Sequence, residues 1–275
     1  MLNSSGRFTF GYASLTSLEL SKYEALKNSH LLTELYSCDR GIVPTKWQYQ
    51  QIPDEFHSKL SVIHDGIDTR FFKPDHKAKI NLPIPADAEI VTYTTRGLEE
   101  YRGFPQFMEA VAILLKKRPN CHFVIAGDDF VHYGAKLPDG QNFRELMVKK
   151  LDIDLSRVHF TGFLPYAEYL KILQASWAHI YLTFPFVLSW SMLEAMSTEC
   201  LLIASNTPPV LEMVEDNKNG FLVDFFSPQE LADRIEDVLN NRKKLGHIRK
   251  AARKTIVKNY ELRNCLAKQL DFLDI

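Results

Sequence analysis

Cysteine is scarce in this chain: four in 275 residues, at Cys38, Cys121, Cys200 and Cys265, with no CxxC pair. That excludes a zinc ribbon and a disulfide scaffold and fits a reducing compartment. No apolar run of about 18 residues is present, so nothing in the sequence is expected to span a membrane. The opening MLNSSGRFTFGYASL has no basic segment followed by a long apolar core, so a secretory signal is not expected. Asn3-Ser4-Ser5 fits the N-glycosylation pattern but reads as an ordinary polar terminus. Neither charge sign dominates, with 33 Lys+Arg against 34 Asp+Glu, which excludes a globally basic nucleic-acid binder. GxGxxG, GxxxxGK[ST] and HExxH are all absent, which argues against standard dinucleotide, P-loop and zincin chemistry.

What is present is ordinary globular composition, 45% hydrophobic and 24% charged, with strand and helix patterns in alternation. Residues 1–60 read as a short, mostly helical piece. Leu26, His30, Leu31 and Leu35 have the spacing of one helix face, GIVP (41–44) reads as a minimal strand, and TKWQYQQIP (45–53) as a short helix capped by Thr45. KLSVIHDGID (59–68) is a strand running into a glycine turn, and the proline-bearing stretch 71–88 is a linker. From Glu89 on, strands are expected at 89–95, 122–127, 157–163, 179–184, 200–205 and 220–224. Helices are expected at 104–118, 166–176, from about Ser191, at 207–214 and at 227–241, the last opening with Ser227, Pro228 and Glu230 as a capping box. Residues 243–275 show helices and no further strand. This alternation predicts an α/β fold, a Rossmann-like doubly wound parallel sheet covered on both faces.

Such a sheet binds ligands where its strands end and its helices begin. Three segments there carry candidate chemistry. After the first strand come Arg96-Gly97 and Arg102-Gly103, where guanidinium groups and bare backbone suit a diphosphate, although two solvated loop arginines would look the same. After the fourth strand come Leu188, Ser189, Trp190, Ser191 and Glu194. These read either as an anion site with an acceptor for a diol, or as a capping box of Ser191 and Glu194. After the fifth strand, Glu212 sits in a first helical turn, where the helix dipole alone favours it. Gly162-Phe163 ends a strand and suits a rim around a flat base. Asp152-Ile-Asp154 has DxD form but falls on the wrong side of the sheet for a metal. His64, His122, His159 and His179 read as packed strand residues, and Asp128-Asp129 as a polar turn.

In this order the pieces resemble the donor-binding half of a glycosyltransferase family 4 enzyme of GT-B architecture. The resemblance covers about 59–260 and rests on HDGID (64–68), Arg96 to Arg102-Gly103, VIAGD (124–128), VHFTGF (158–163), SMLEAMS (191–197) and NGFLVDF (219–225). It implies residues 1–60 as a remnant of the acceptor-binding domain, 61–88 as crossover and linker, 89–258 as the nucleotide-sugar-binding domain and 259–275 as a C-terminal helix. It implies retaining transfer of a sugar from a nucleotide-sugar donor to a glycan or glycolipid acceptor, without cofactor or obligatory metal. Arg96 and Arg102 would be catalytic, stabilising the departing diphosphate. Gly97, Gly103, Gly162, Phe163, Leu188, Ser189, Trp190, Ser191, Glu194 and Glu212 would bind the donor, with Glu194 as the second Glu of the family's E-x7-E pair. Phe186 stands where the first Glu belongs, so the contact to the transferred sugar departs from the pattern. A cytoplasmic setting is expected, at the inner face of a membrane through peripheral association, with a partner chain supplying an acceptor domain. A non-catalytic nucleotide-sugar-binding module or subunit and a nucleotide-sugar epimerase are the alternative readings.

Overall fold

The computed structural model describes residues 28–75 and 77–274. Leu26 and the Asn3 sequon lie outside them. Helix α1 (28–37) is followed by β1 (Gly41–Val43), α2 (Lys46–Gln50), a 3-10 turn (Asp54–Lys59) and β2 (Leu60–Val62). The expected helix face is only partly used: Leu35 is buried while His30 and Leu31 are exposed. β1 and β2 pair in parallel, and Thr45 caps α2 by accepting from the Gln48 N–H at 3.1 Å. Residues 63–88 contain no helix or strand among the described positions.

The remaining strands are β3 (Glu89–Gly97), β4 (Cys121–Asp128), β5 (Val158–Gly162), β6 (Ala178–Tyr181), β7 (Leu202–Ser205) and β8 (Phe221–Val223). They form one six-stranded sheet in the order β5-β4-β3-β6-β7-β8. Every pair is parallel. The strand order therefore reverses between β3 and β6, and the crevice of a doubly wound sheet opens at that reversal.

Helices α3 (Phe104–Lys117), α4 (Phe143–Leu151), α5 (Tyr166–Ala175), α6 (Trp190–Ser197), α7 (Pro208–Leu211), α8 (Pro228–Asn241), α9 (Gly246–Asn259) and α10 (Leu262–Leu273) cover the sheet and its edge. Phe107, Ala110, Val111 and Leu114 of α3 join Leu231, Ile235 and Val238 of α8 in the core on one face. Met192, Leu193 and Met196 of α6 pack with Ala252 and Ile256 of α9 on the other. α8 begins at Ser227 as the pattern predicts, with the Ser227 hydroxyl accepting from the Glu230 N–H, but the reciprocal half of the capping box is replaced: the Ser227 N–H donates to the Asp224 carbonyl at 3.2 Å. Asp154 likewise caps a 3-10 turn by accepting from the Ser156 N–H, away from the crevice.

The junction between the small N-terminal sheet and the large one is tied to the C-terminal helices. Ile67 and Glu261 form an isolated bridge, the Ile67 N–H donating to the Tyr260 carbonyl at 2.7 Å. Gly66 makes that approach feasible: its φ is +89°, and a Cβ there would lie 2.6 Å from the Leu262 Cα. Arg253 of α9 reaches back to the carbonyls of Thr69, Phe72 and Ser197.

Candidate functional site

A cavity of about 510 Å³ lies over the C-terminal ends of the central strands. Its walls include Arg96, Arg102, Gly162, Phe163, Leu188, Ser189, Trp190, Ser191 and Glu194, so the two segments singled out in the sequence meet in one place. Gly97, Gly103 and Glu212 do not line it.

Arg96 is the penultimate residue of β3, is exposed, and its side chain has no hydrogen-bond partner among the described residues. Arg102 is its opposite, only 5% exposed. The chain reaches it through a short 3-10 turn that closes on Gly103, whose φ of +67° brings a would-be Cβ within 2.5 Å of Leu182. Glycine there is a packing and backbone requirement, and α3 starts at once behind it. The Tyr93 hydroxyl donates to the Arg102 carbonyl at 2.7 Å. The guanidinium donates from Nη1 to the Val187 carbonyl at 2.9 Å, the Thr183 hydroxyl at 3.0 Å and the Tyr181 hydroxyl at 3.3 Å. All three bonds leave from one nitrogen, so Nε and Nη2 remain for an anion.

Two aromatic rings brace the same guanidinium. Its central carbon lies 5.3 Å from the Tyr133 ring centroid and 5.4 Å from that of Phe186. Tyr133 is held by Glu99, fully buried, whose carboxylate accepts from the backbone N–H groups of Tyr133 and Gly134 at 2.9 Å each. Phe186, at the position where the resemblance leads one to expect a glutamate, sits behind Arg102 and outside the cavity lining.

Opposite the arginines is the N-terminus of α6. Its cap is Ser189, whose hydroxyl accepts from the Ser191 N–H, and not Ser191 as a capping box would require. The first-turn N–H groups of a helix have no intrahelical partner and carry the positive end of its dipole. Glu194 is the fifth helical residue, one turn deeper, only 6% exposed. Its carboxylate accepts from the Tyr169 hydroxyl at 2.8 Å and not from a cap. Burial pushes the Glu194 carboxyl up to about 7, partly offset by the Tyr169 bond.

The remaining walls come from farther apart. Ala126 and Gly127 arrive from β4; Gly162 and Phe163, the latter 80% exposed, arrive from β5. Pro44, Thr45, His64 and Asp65 close the side next to the N-terminal sheet. Asp65 accepts from the Trp190 Nε1–H at 2.8 Å, clasping the junction to the mouth of α6. His64 is a wall residue that strand periodicity alone disguises as packing. Its Nδ1 faces the Gly66 N–H at 2.9 Å, which puts the ring proton on Nε2, and burial lowers its pKa. The other three histidines are packed: His122 meets His159 at 3.0 Å, and His179 bonds to Thr92.

Glu212 has a different partner. Its carboxylate accepts from the backbone N–H groups of Lys46 at 2.9 Å and Trp47 at 2.5 Å. It caps α2 from the neighbouring unit and fastens the N-terminal sheet to α7, a partner 165 residues distant that no local pattern could show. Asp128, the last residue of β4, accepts from His132 in the loop that follows, and Asp129 pairs with Arg144 of α4. Among the described residues, no group of three or more His, Cys, Asp or Glu side chains is arranged to hold a metal.

The cavity thus presents two cations and a helix N-terminus to an anion, a buried carboxyl to a hydroxyl pair, and an exposed ring beside a glycine at the rim. The profile of glycosyl transferases group 1 matches residues 75–255, and that of the glycosyl transferase family 4 group matches residues 6–72. An alpha-D-kanosaminyltransferase of Streptomyces kanamyceticus is 30% identical over 156 residues, 56% of this chain and 37% of that protein. An uncharacterized glycosyltransferase of Bacillus subtilis is 22% identical over 255 residues, 91% of this chain and 66% of that protein. Among solved structures, HepE of Anabaena, in complex with UDP and glucose, superposes with a TM-score of 0.78 at 19% identity, covering 92% of this chain and 68% of that one. The C-terminal domain of a glycosyl transferase group 1 family protein of Francisella tularensis superposes at 0.60 with 24% identity, over 72% of this chain and 100% of that one. The chain spans from 37% to 66% of the length of these curated relatives. With two thirds of its length inside the group 1 profile, the chain belongs to the glycosyl transferases group 1 family.

Proposed function

We propose that the cavity binds a nucleoside-diphosphate sugar and serves the transfer of its sugar, with retention of anomeric configuration, to a glycan or glycolipid acceptor. The convergence of Arg96, Arg102, the α6 N-terminus and Glu194 on one cavity carries this reading. As the bond between sugar and diphosphate breaks, negative charge grows on the diphosphate. The free nitrogens of Arg102, the Arg96 guanidinium and the first-turn amides of α6 are placed to stabilise that charge. Glu194 accepts the ribose hydroxyls, and Phe163 with Gly162 flanks the base. The reading uses no cofactor.

HepE of Anabaena, solved in complexes with UDP, with UDP-glucose and with UDP and glucose, favours a donor of this class. The supporting experiment is calorimetry with UDP, GDP and ADP, followed by incubation with the matching labelled nucleotide sugars. Micromolar to sub-millimolar binding of one diphosphate, with release or transfer of its sugar, is the expected result. Absence of binding at millimolar concentrations of all three would refute the site. Binding without turnover would make the chain a nucleotide-sugar-binding module.

A further inference from the structure

Charge is unevenly placed in this nearly neutral chain. Residues 242–268 contain ten Lys and Arg against a single acid, Glu261, so the rest of the chain is strongly acidic. Helix α9 sorts these cations by type. Its arginines turn inward, Arg249 donating to the Glu199 carbonyl and Arg253 to those of Thr69, Phe72 and Ser197. Its lysines turn outward. Lys250, Lys254 and Lys258 are exposed at helical spacing with His247 one turn before them, and the exposed Lys243 and Lys244 lie in the turn that precedes the helix. The opposite face, Ile248, Ala252 and Ile256, is buried. None of the five lysines joins an ion pair among the described residues.

Like charges four residues apart on a helix are destabilising, and no ion pair among the described residues offsets them here. From His247 to Lys258 the helical face runs for roughly 16 Å at 1.5 Å per residue. Beyond Tyr260 and Glu261 the chain enters α10, where Leu262, Leu266, Leu270 and Leu273 are 37%, 46%, 40% and 40% exposed at 4-4-3 spacing. Val257 is also exposed, beside Lys258. Among the described residues no lysine of this face stacks on an aromatic ring, and exposed aliphatic residues follow on the next helix; such a face suits lipid headgroups better than bases, which call for arginine and stacking rings.

We infer that the lysine face of α9 docks this protein on an anionic lipid bilayer. The surface is separate from the nucleotide cavity, so the inference stands or falls independently of the transfer reaction. The test is co-sedimentation with vesicles of phosphatidylglycerol and phosphatidylcholine at 3:7, against pure phosphatidylcholine, in about 50 mM and about 500 mM salt. Binding to the anionic vesicles alone, lost at high salt, is expected. Each basic residue at such a surface contributes roughly fivefold, so Lys250→Glu with Lys254→Glu should weaken binding by at least about thirtyfold. The melting temperature and nucleotide affinity of that variant should be unchanged; if the melting temperature falls, Lys250→Gln with Lys254→Gln provides the same comparison. No binding to anionic vesicles, binding indifferent to the substitutions, or tighter binding to a single-stranded oligonucleotide than to vesicles would each overturn the inference.

Discussion

Glu194 places a titration inside the cavity, and its consequences are quantitative. In the unfolded chain the carboxyl has the ordinary value of 4.5, while burial in the folded protein raises it to about 7. Between those values the folded state holds a proton that the unfolded chain has released. Stability therefore falls as pH rises through this window, is highest with respect to this group below 4.5, and is lowest above about 7. The full difference corresponds to at most about 3 kcal/mol, or roughly 5–10 °C in melting temperature for a chain of this size. Glu194→Gln removes the charge and keeps an oxygen to accept from Tyr169. The variant should match the wild type near pH 4.5 and exceed its melting temperature at pH 8. Nucleotide-sugar affinity should move the other way: ribose hydroxyls favour the ionised carboxylate, so wild-type affinity rises with pH up to about 7, while Glu194→Gln binds about 10–100-fold more weakly without that dependence. A nucleotide sugar is the proper probe, because its diphosphate does not titrate in this range. Scanning calorimetry and titration calorimetry at pH 5, 6.5 and 8 decide the matter. A melting difference between the two proteins that is the same at all three pH values would refute the reasoning.

Four further outcomes are expected. Arg96→Ala should cut diphosphate affinity at least tenfold in titration calorimetry with an unchanged melting temperature, since the side chain is exposed and holds nothing else in place. Phe186→Leu should lower diphosphate affinity severalfold by removing one of the two rings against Arg102, a loss of about 1 kcal/mol that Phe186→Tyr restores. Gly103→Ala should lower the unfolding free energy by about 1–3 kcal/mol in urea denaturation, because its positive φ and the contact with Leu182 both resist a side chain. Glu212→Ala should leave nucleotide affinity intact, cost about 1 kcal/mol, and hasten proteolytic cleavage near Lys46, whose N–H it caps.

Much of this molecule is legible in one dimension because its signals are local. The helix beginning after Ser227 follows from a serine, a proline and a glutamate within four positions, and the sheet follows from short apolar runs that need cover on both faces. Arg96 and Arg102 stand out because a parallel sheet presents its loops at one edge. The same local logic fails where the partner is remote. Ser191 and Glu194 have the spacing of a capping box, yet Ser189 caps the helix and Glu194 turns to Tyr169, on a different helix. Glu212 looks like a dipole-stabilised residue beside the cleft, yet it binds two amides from the N-terminal sheet. His64 alternates like any strand residue and nonetheless lines the cavity.

Hydrophobic period, caps and turn residues thus determined the α/β alternation and which loops meet at the ligand edge, since those forces act within a few residues of the chain. Which carboxylate enters the cavity, which fastens one unit to the other, and that Phe186 backs Arg102 were decided only by tertiary structure. Burial and long-range hydrogen bonding depend on neighbours in space, and sequence spacing carries no record of those.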